Sequence, residues 1–313
     1  METTTVSIVV PVLNNADCLP TCLESLTRQT HPPIEIILVD NASEDSGIAD
    51  ALGVLPDLKI IHNEVNRGFA GACNQGISAS VGEFVLLLNA DAWLDAPFLS
   101  KALDAFKSRP EIGSLTGKIY RSRPPILDST GIELAKKKFS PKDRGETERD
   151  CGQYDLEEYV FGASGAVALY RKAALEDCRV EGEYFDEDFF AYYEDVDLAW
   201  RMQILGWRCL YLPSAVAYHD RKGPKIKSRS VFIRSFANRY LCYVKNELPG
   251  ALPSYLPYAL PYELGRCGWL FLHKPYMLLS VWSFLSRLPQ AWRKRKQIQC
   301  RRRVSEAYLS QFQ

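Results

Sequence analysis

An unbroken apolar run from Phe84 to Leu88 places the strongest constraint on the fold of this chain. Such a run, with no polar residue at alternate positions, is typical of a strand that is buried on both faces of a parallel sheet. The run ends abruptly at Asn89-Ala90-Asp91. Because residues i and i+2 of an extended chain point to the same side, the Asn89 amide and the Asp91 carboxylate can face one point. Converging oxygen ligands suit a hard cation such as Mg²⁺ or Mn²⁺, although a polar exit from the strand is the alternative interpretation.

Three further predicted strands precede this run, and helical segments alternate with them. Apolar residues predict strands over residues 6–10, 34–39 and 58–61, and an i, i+3, i+4, i+7 stripe from Leu19 to Leu26 predicts the first helix. Strands that alternate with helices over short connections form a mostly parallel sheet, so the expected fold class is α/β. Ligands bind such sheets outside the carboxyl ends of the strands. Polar or glycine residues follow all four strands at that edge: Asn14, Asn15, Asp40, Asn41, Asn66, Gly68, Asn89 and Asp91. Four polar strand ends together favour a ligand site over ordinary turns.

The turn after the first strand limits which nucleotide ligand is possible. Residues Pro11 to Asn15 contain no glycine, which argues against the GxGxxG dinucleotide-binding pattern, and the Walker A pattern is absent from the chain. Asp40, which closes the second strand, could accept hydrogen bonds from a base or a ribose. A mononucleotide with a metal-bound diphosphate is therefore consistent with this edge of the sheet.

Composition excludes several other classes of protein. The 313 residues suffice for one large or two modest domains, and 47% hydrophobic with 24% charged residues argues against extensive disorder. The net charge is zero, so no overall positive field indicates a nucleic-acid partner. Nine cysteines without zinc-site spacing, and an N-terminus unlike a signal peptide, predict free thiols in a reducing compartment such as the cytoplasm.

A cluster of acidic residues marks a second candidate site. An apolar repeat every four residues from Val196 to Ile204 predicts a helix, and Glu194, Asp195 and Asp197 crowd its first turn. Acids there interact favourably with the helix dipole, at about 0.3–1 kcal/mol each, and this structural interpretation stays open. Three acids beside several aromatic residues exceed what capping requires, because crowded carboxylates in a partly apolar setting can have one pKa raised toward that of a general base.

Five segments of the chain resemble glycosyltransferases of family 2 with the GT-A fold, and the resemblance is closest to the bacterial rhamnosyltransferase-like branch. They are VSIVVPVLNN at 6–15, ILVDNASED at 37–45, NRGFAGACNQG at 66–76, LLNAD at 87–91 and FDEDFFAYYEDVDLAWR at 185–201. The resemblance implies a nucleotide-sugar-binding domain with a mostly parallel central sheet. Ala90 and Ala92 depart mildly from the branch pattern, in which Pro and Thr flank the aspartate.

The resemblance also implies roles for particular residues. Asp195 would be the base that deprotonates the acceptor hydroxyl, supported by Glu194 and Asp197. Asp91 would bind the metal, helped by Asn89 and completed by His219. The residues implied in donor binding are Pro11, Asn14, Asp40, Asn41, Asn66, Gly68, Asn74, Asn89 and Asp91.

The expected activity is therefore inverting sugar transfer that depends on Mg²⁺ or Mn²⁺. The donor would be dTDP-rhamnose or another dTDP- or UDP-activated sugar, and the acceptor a hydroxyl of a glycan or lipid-linked sugar in cell-surface polysaccharide synthesis. A nucleotidyltransferase is the first alternative, although its glycine-rich, basic phosphate loop is missing. A non-catalytic nucleotide-sugar-binding protein is the second, and it would not need the acidic cluster.

Two regions are predicted, a GT-A domain over residues 1–224 and a helical extension over 225–313. Within the first, the donor half covers about 1–117 and the acceptor half about 118–224. Residues 121–125 and 136–150 are polar without a clear period and predict long loops, which select the acceptor or are variable insertions. Residues 225–246 predict a helix, and 249–261 predict a linker punctuated by prolines.

The last part of the chain suggests contact with a membrane surface. Residues 267–288 are apolar and aromatic, but charged residues and a proline interrupt them, so they fall short of a bilayer-spanning helix. A basic run at 293–303 follows, and this combination suits the surface of an anionic membrane. The expected location is thus peripheral, on the cytoplasmic face of the membrane. Packing of these helices on the catalytic domain is the alternative.

Overall fold

A computed structural model of the protein describes residues 4–45, 48, 53–55, 58–122, 124–135, 140–221, 228–248 and 250–312. Its strands are β1 (Val6–Val12), β2 (Glu35–Asp40), β3 (Lys59–His62), β4 (Phe84–Leu88), β5 (Ala92–Leu94), β6 (Ile112–Arg121), β7 (Leu127–Ser129), β8 (Ile132–Glu133), β9 (Lys142–Asp143), β10 (Glu158–Val160), β11 (Val167–Arg171) and β12 (Arg208–His219). Its helices are α1 (Leu19–Thr27), α2 (Gly68–Ala79), α3 (Phe98–Lys107), α4 (Lys172–Asp177), α5 (Glu194–Ile204), α6 (Arg229–Asn246), α7 (Leu252–His273), α8 (Leu279–Cys300) and α9 (Glu306–Ser310). Single 3₁₀ turns lie at Glu187–Phe189 and Pro275–Leu278.

The main sheet has the strand order β10-β12-β6-β11-β4-β1-β2-β3. β1 lies parallel to β2 and to β4, and β2 lies parallel to β3, so the carboxyl ends of these four strands share one edge. β11 runs antiparallel to β4, with Val167 opposite Leu88, so the loop before β11 lies beside the end of β4. The expected mostly parallel sheet is confirmed.

The two faces of the sheet explain the apolar run in β4. Leu86 and Leu88 belong to one hydrophobic cluster with residues of α1 and α3, whereas Val85 and Leu87 belong to a second cluster with residues of α2. All of β4 is therefore buried. Burying each of these side chains contributes roughly 1.5–3 kcal/mol, which is why no polar residue interrupts the strand.

The C-terminal helices pack on the part of the chain that contains the main sheet. The ring of Tyr243 in α6 meets Trp200 in α5 edge to face, with centroids 5.0 Å apart. The boundary expected at residues 224 and 225 lies outside the described residues, as does the start of the helix expected from residue 225. None of the helices in the described ranges is long and apolar enough to cross a membrane.

The predicted linker at 249–261 is wrong, because α7 covers residues 252–273. Pro253, Pro257 and Pro261 are four residues apart, so they lie on one face of the helix, and all three are exposed. Proline cannot donate to the carbonyl four residues earlier. Pro253 lies in the first turn, where no such bond is due, so only Pro257 and Pro261 interrupt the helical hydrogen bonds, and both lie on the exposed side of the helix. The loop predicted at 136–150 also contains structure, since β9 pairs with β8 in its described part.

Several bases of the run at 293–303 are paired with acids, which favours packing on the domain, whereas contact with an anionic membrane stays a prediction. Lys294 Nζ lies 2.6 Å from Asp186 Oδ1 and 2.8 Å from Asp188 Oδ2. Arg293 Nε lies 2.6 Å from Glu181 Oε1. Two arginines at the end of the run, Arg301 and Arg303, pair with Asp177. The acidic and basic segments of the sequence therefore neutralise each other and hold α8 on the domain.

Candidate active site

The turn after β4 brings Asp91 to His219. Ala92 N donates to Asn89 O at 3.0 Å, which closes a tight turn, and β5 then pairs with β12 so that Ala92 lies opposite His219. His219 Nε2 is 3.2 Å from Asp91 Oδ1, and Asp220 N donates to Asp91 O at 2.9 Å. Two residues predicted as metal ligands are thus neighbours, and Asn89 lies half-buried at the start of the same turn.

A fully buried carboxylate, Asp128 in β7, orients the His219 ring. His219 Nδ1 lies 2.8 Å from Asp128 Oδ2, and Arg221 Nε donates to Asp128 Oδ1 at 2.6 Å. Burial disfavours the imidazolium, but hydrogen bonds to Asp128 and Asp91 outweigh it and raise the pKa of His219 to about 9. Burial likewise opposes ionisation of Asp128, but its bonds to His219 and Arg221 lower its pKa below the ordinary value. Sequence reasoning missed Asp128, because no spacing in the chain links it to His219.

These residues fit a divalent cation. No group of three or more His, Cys, Asp or Glu side chains that could hold a metal occurs within the ranges that the structure describes. Mg²⁺ and related cations, however, are often bound by one or two protein ligands together with substrate phosphates and water. A histidine that gives its other ring nitrogen to a carboxylate is also the usual arrangement around metal ligands. Asp91 and His219, with Asp128 behind, therefore match the chemistry of such a site.

A small cavity opens beside Asp91 and adds residues that the sequence did not single out. Its volume is about 200 Å³, and its lining includes Asp17, Trp93 and Asp220. Ser122 Oγ donates to Asp220 Oδ1, which fixes one carboxylate of the lining. The cavity joins the start of α1 to the end of β4. Three acids around it make it a place for a cation and a polar ligand rather than for an apolar one.

Four of the other predicted donor-binding residues follow β1, β2 and β3, where their hydrogen bonds organise the loops. Asn41 Nδ2 donates to Asn66 Oδ1 at 2.9 Å and to Gly68 O at 3.1 Å, and Asn14 Oδ1 accepts from Glu44 N at 2.8 Å. These bonds connect the segments that follow β1, β2 and β3. Asn66 and Gly68 are thereby held next to Asn41, as expected.

Asp40, Pro11 and Asn74 occupy different positions. Asp40 accepts from Ser43 N at 3.0 Å; burial opposes its ionisation, but bonds from Ser43 and His62 lower its pKa. Pro11 is a residue of β1 opposite Val39. Asn74 is buried in α2, away from the strand ends, and its amide bonds both backbone groups of Phe185, at 2.8 Å each. Asn74 therefore anchors the segment that leads to the acidic cluster.

Asp195 lies at the first turn of α5, beside the end of β4. Its Oδ2 accepts from Gly165 N at 3.1 Å and its Oδ1 from Val196 N at 2.8 Å. The next residue of the same loop, Ala166, accepts from Asn89 N at 2.9 Å. One short loop thus contacts both Asp195 and the start of the turn at residues 89–92, which carries the predicted metal ligand Asp91 and is called the metal-site turn below. A Cβ on Gly165 would lie 3.1 Å from Asp195 Oδ2, so glycine permits this close approach.

The electrostatics of Asp195 suit a general base. Burial, followed by the negative charge of Asp143, raises the pKa of Asp195 from 3.8 to about 6. A carboxyl group with this pKa is ionised at neutral pH yet accepts a proton more readily than an ordinary Asp. The carboxylate is connected to Asn89 through the loop 165–166, and its role as the base stays a prediction.

The backbone before Asp195 is strained. Phe190, Tyr192 and Tyr193 have positive φ angles of 64°, 71° and 75°. Aromatic residues rarely adopt this region, at a cost of about 1–3 kcal/mol each, and such strain is concentrated at functional sites. Gly68 also has a positive φ of 77°, and a Cβ there would overlap the Phe190 carbonyl. The backbone at Gly68, which is predicted to bind the donor, therefore packs directly on this strained segment.

The other two predicted acids are buried. Glu194 is 6% exposed, and Asp197 is fully buried. Asp197 accepts from Arg201 Nε at 2.9 Å and from Asn246 Nδ2 at 2.8 Å, and Lys245 Nζ is 2.8 Å away. The structure thus places Asp197 in an ion-pair network that joins α5 to α6, away from the loop that Asp195 contacts.

Comparison with known proteins assigns the family. The family model described as glycosyl transferase family 2 matches residues 7–179. The chain is similar to poly-β-1,6-N-acetyl-D-glucosamine synthase of Staphylococcus epidermidis, with 28% identity over 68% of this chain and 49% of that protein. It is also similar to N-acetylglucosaminyl-diphospho-decaprenol L-rhamnosyltransferase of Mycobacterium tuberculosis, with 29% identity over 64% of this chain and 70% of that protein. The chain therefore belongs to glycosyltransferase family 2, although it spans only about half the length of the first of these relatives.

Solved structures support the same fold. S. aureus TarS matches 99% of this chain and 54% of its own, with a TM-score of 0.61 at 19% identity. The mannosyltransferase PcManGT from Pyrobaculum calidifontis, solved with GDP-Man and Mn²⁺, matches 93% of this chain and 86% of its own, with a TM-score of 0.54 at 20% identity. The expected GT-A fold with a helical C-terminal region is confirmed.

Proposed function

We propose that this chain is an inverting glycosyltransferase that moves a sugar from a nucleotide-sugar to a hydroxyl group of a glycan or lipid-linked acceptor. Membership of family 2 favours this over the nucleotidyltransferase and the binding protein that the sequence left open. The name of the mycobacterial relative supports rhamnose as the first candidate sugar and a diphospholipid-linked sugar as the acceptor. The names of both relatives fit a role in cell-surface polysaccharide synthesis.

The observation that carries the proposal is the loop 165–166, which links a carboxylate of raised pKa to the metal-site turn. In this mechanism Asp195 takes the proton of the acceptor hydroxyl. The oxygen forms a bond to the anomeric carbon while the bond from that carbon to the diphosphate breaks on the opposite side. A single displacement of this kind inverts the anomeric configuration and needs no covalent intermediate.

The residues at the end of β4 would serve the leaving group. Asp91 and His219 would hold Mg²⁺ or Mn²⁺, which when bound stabilises negative charge on the departing diphosphate. Asp128 keeps the His219 ring in one orientation through its hydrogen bond at 2.8 Å. Asn89 is a weaker helper at the start of the turn. The nucleotide part of the donor would bind to the hydrogen-bonded loops that contain Asn14, Asp40, Asn41, Asn66 and Gly68.

A panel of dTDP-, UDP- and GDP-sugars, each with and without Mn²⁺, tests this function. We expect one donor class to raise the melting temperature in a Mn²⁺-dependent manner and to be slowly hydrolysed. The Asp195→Asn variant should keep the donor-induced stabilisation, because its predicted donor-binding residues are unchanged. It should lose transfer, because it lacks the base. Failure of every donor to stabilise the wild type in Mn²⁺ would contradict the proposal.

We also propose that the protein contacts a membrane through an exposed apolar face. This face consists of Leu264, Trp269, Leu272, Leu278, Leu279 and Trp282, all more than half exposed. Six large apolar side chains exposed on α7, on α8 and in the turn between them are typical of an interaction surface, and Trp residues suit the interfacial region of a bilayer. Because the basic run is paired with acids, apolar insertion rather than anionic lipid should dominate binding.

Vesicle sedimentation with a matched pair of variants tests the membrane contact. Leu272 is 82% exposed in the apolar face, and Leu156 is 80% exposed on the catalytic region. Leu272→Glu should weaken binding to phosphatidylcholine vesicles, whereas Leu156→Glu should not. Binding that needs phosphatidylglycerol and disappears in high salt would assign the contact to basic residues instead.

A further inference from the structure

A cavity of about 590 Å³ lies between helices α6, α7 and α8. Among the residues that line it are Phe236, Tyr240, Cys267, Phe271, Val281 and Phe284. This volume lies within the roughly 300–1,000 Å³ of small-molecule sites in proteins. The cavity is separate from the candidate active site, because no residue of its lining belongs to the β4 end or to the acidic cluster.

The polar groups around this cavity are bonded elsewhere. Tyr240 donates its hydroxyl to Glu263 Oε2 at 2.6 Å, and Tyr243 donates its hydroxyl to Leu134 O at 3.1 Å. Arg295 Nη1 donates to Val244 O at 2.8 Å. What these side chains present to the cavity is mainly ring and aliphatic carbon. A sugar or nucleotide would lose its hydrogen bonds to water there, whereas a hydrocarbon would gain from leaving water.

The cavity opens to the surface beside α8, because Val281 and Trp292 line it and are 43% and 53% exposed. Leu279 and Trp282 of the apolar face lie on the same helix, next to or near Val281 in the chain. A hydrocarbon chain from a bilayer under the apolar face would therefore reach the cavity along α8. This continuity indicates a lipid chain as the occupant, rather than an apolar metabolite from solution.

Helix α6 joins the cavity to the segment before Asp195. Phe236 and Tyr240 line the cavity, whereas Asn238, between them, donates from Nδ2 to the carbonyls of Phe189, Ala191 and Tyr192 at 2.8, 3.2 and 3.0 Å. On the same helix, the guanidinium of Arg234 lies 5.2 Å from the centre of the Phe190 ring. A cation in this position would complement the phosphate of a phospholipid-type carrier, whose sugar would then point toward the acidic cluster.

We propose that this cavity binds the hydrocarbon chain of the lipid that carries the acceptor sugar. The proposal rests on the proposed sugar transfer and adds to it a separate subsite that recognises the lipid part of the acceptor. The chain would hold the acceptor on α6 while its sugar hydroxyl approaches Asp195. No bond forms or breaks in the cavity.

Alkyl glucosides of increasing chain length, used below their micelle concentrations, test the subsite directly. Each added methylene that enters an apolar site improves affinity by about fourfold. For the wild type we expect the binding affinity, measured by calorimetry, to rise in this way from hexyl to decyl glucoside. Val281→Trp should flatten the rise because the indole fills the cavity. Leu285→Trp, at an exposed site on the same helix outside the lining, should leave the rise intact.

A second measurement does not depend on any variant. Cys267 lines the cavity and is half-buried, whereas Cys300 is exposed. Decyl glucoside should slow alkylation of Cys267, followed by mass spectrometry, and should leave alkylation of Cys300 unchanged. Equal alkylation of Cys267 with and without decyl glucoside would overturn the proposal, as would an unchanged chain-length series in Val281→Trp.

Protection of Cys267 by a second lipid distinguishes an acceptor lipid from ordinary bilayer lipid. If the cavity takes ordinary bilayer lipid, dihexanoylphosphatidylcholine below its micelle concentration will slow alkylation of Cys267 as strongly as hexyl glucoside does, which contradicts the proposal. Donor stabilisation in Mn²⁺ should be the same in Val281→Trp and the wild type. Its absence from both proteins would refute the proposed sugar transfer, whereas the chain-length series would still report on the cavity.

Discussion

Replacing Asp195 by Asn should make the protein more stable at neutral pH while it removes transfer activity. Burial and the charge of Asp143 raise the pKa of Asp195 from 3.8 to about 6. A difference of about 2 units corresponds to about 3 kcal/mol of folding free energy. Because the pKa of the folded state is the higher one, protonation of Asp195 stabilises the folded protein. This contribution is fully present below about pH 4 and is lost as the pH rises through about 6. Above pH 7 the wild type has lost all of it.

The Asp195→Asn side chain stays neutral, so its contribution does not change over this range. The substitution has a cost, because both carboxylate oxygens accept backbone N–H groups, from Gly165 and Val196. An amide has only one oxygen, and losing one of these bonds costs about 1 kcal/mol. The net effect is about 2 kcal/mol of stabilisation at pH 8. Below pH 4 the sign reverses, and the variant should be less stable by about 1 kcal/mol.

Thermal unfolding from pH 4 to 8, together with initial rates of transfer, measures both effects. At pH 8 the variant should melt about 4 °C or more above the wild type, and the two curves should cross between pH 4 and 6. Transfer by the wild type should fall about tenfold per unit below pH 6, since the base must be ionised. A variant that is no more stable at pH 8, with a pH-independent difference, would refute the raised pKa of Asp195. Retained transfer would refute its role as the base.

Three other substitutions test the surroundings of the site. Gly165→Ala should lower kcat by up to about 100-fold, with the melting temperature little changed, because the new methyl group displaces the carboxylate of the base; an unchanged kcat would contradict the close approach. Asp128→Asn should raise the Mn²⁺ concentration for half-maximal donor hydrolysis by about 10–100-fold, and saturating Mn²⁺ should restore the rate. Lys294→Met should destabilise the fold by about 1.5–3 kcal/mol, since Asp186 loses one of its two buried lysine partners and keeps Lys245. The neighbouring substitution Arg293→Met is the control, and it should shift the unfolding midpoint much less because Arg293 is exposed.

The part of the fold that local patterns specify could be predicted from the sequence. The apolar run of β4 and the polar residues after each strand depend on neighbours along the chain, so periodicity is sufficient to find them. The position of Asp195 at the start of α5 was predicted for the same reason. Its closeness to Asn89 was not, because it depends on the loop 165–166 beside β4.

What could not be predicted depends on pairs far apart in the chain. Asp128 is 91 residues from His219, and Lys294 is 108 residues from Asp186. The sequence shows the acidic and the basic segment, but a charge run has the same pattern whether it faces solvent or an opposite charge. The helix α7 was missed for a different reason. Its prolines break the helical preference at single positions, and only their common exposed face makes the helix possible.

The strained segment before Asp195 is held by residues of the C-terminal helices. Three aromatic residues with positive φ cost about 1–3 kcal/mol each, so the segment between Phe190 and Tyr193 does not hold its shape alone. Asn238 in α6 donates to two of its carbonyls and to that of Phe189 just before it, and Lys245 and Lys294 pair with Asp186. We therefore propose that regions 1–224 and 225–313 act as one catalytic unit. The first supplies the metal-site turn and the base, and the second fixes the backbone that aims the base.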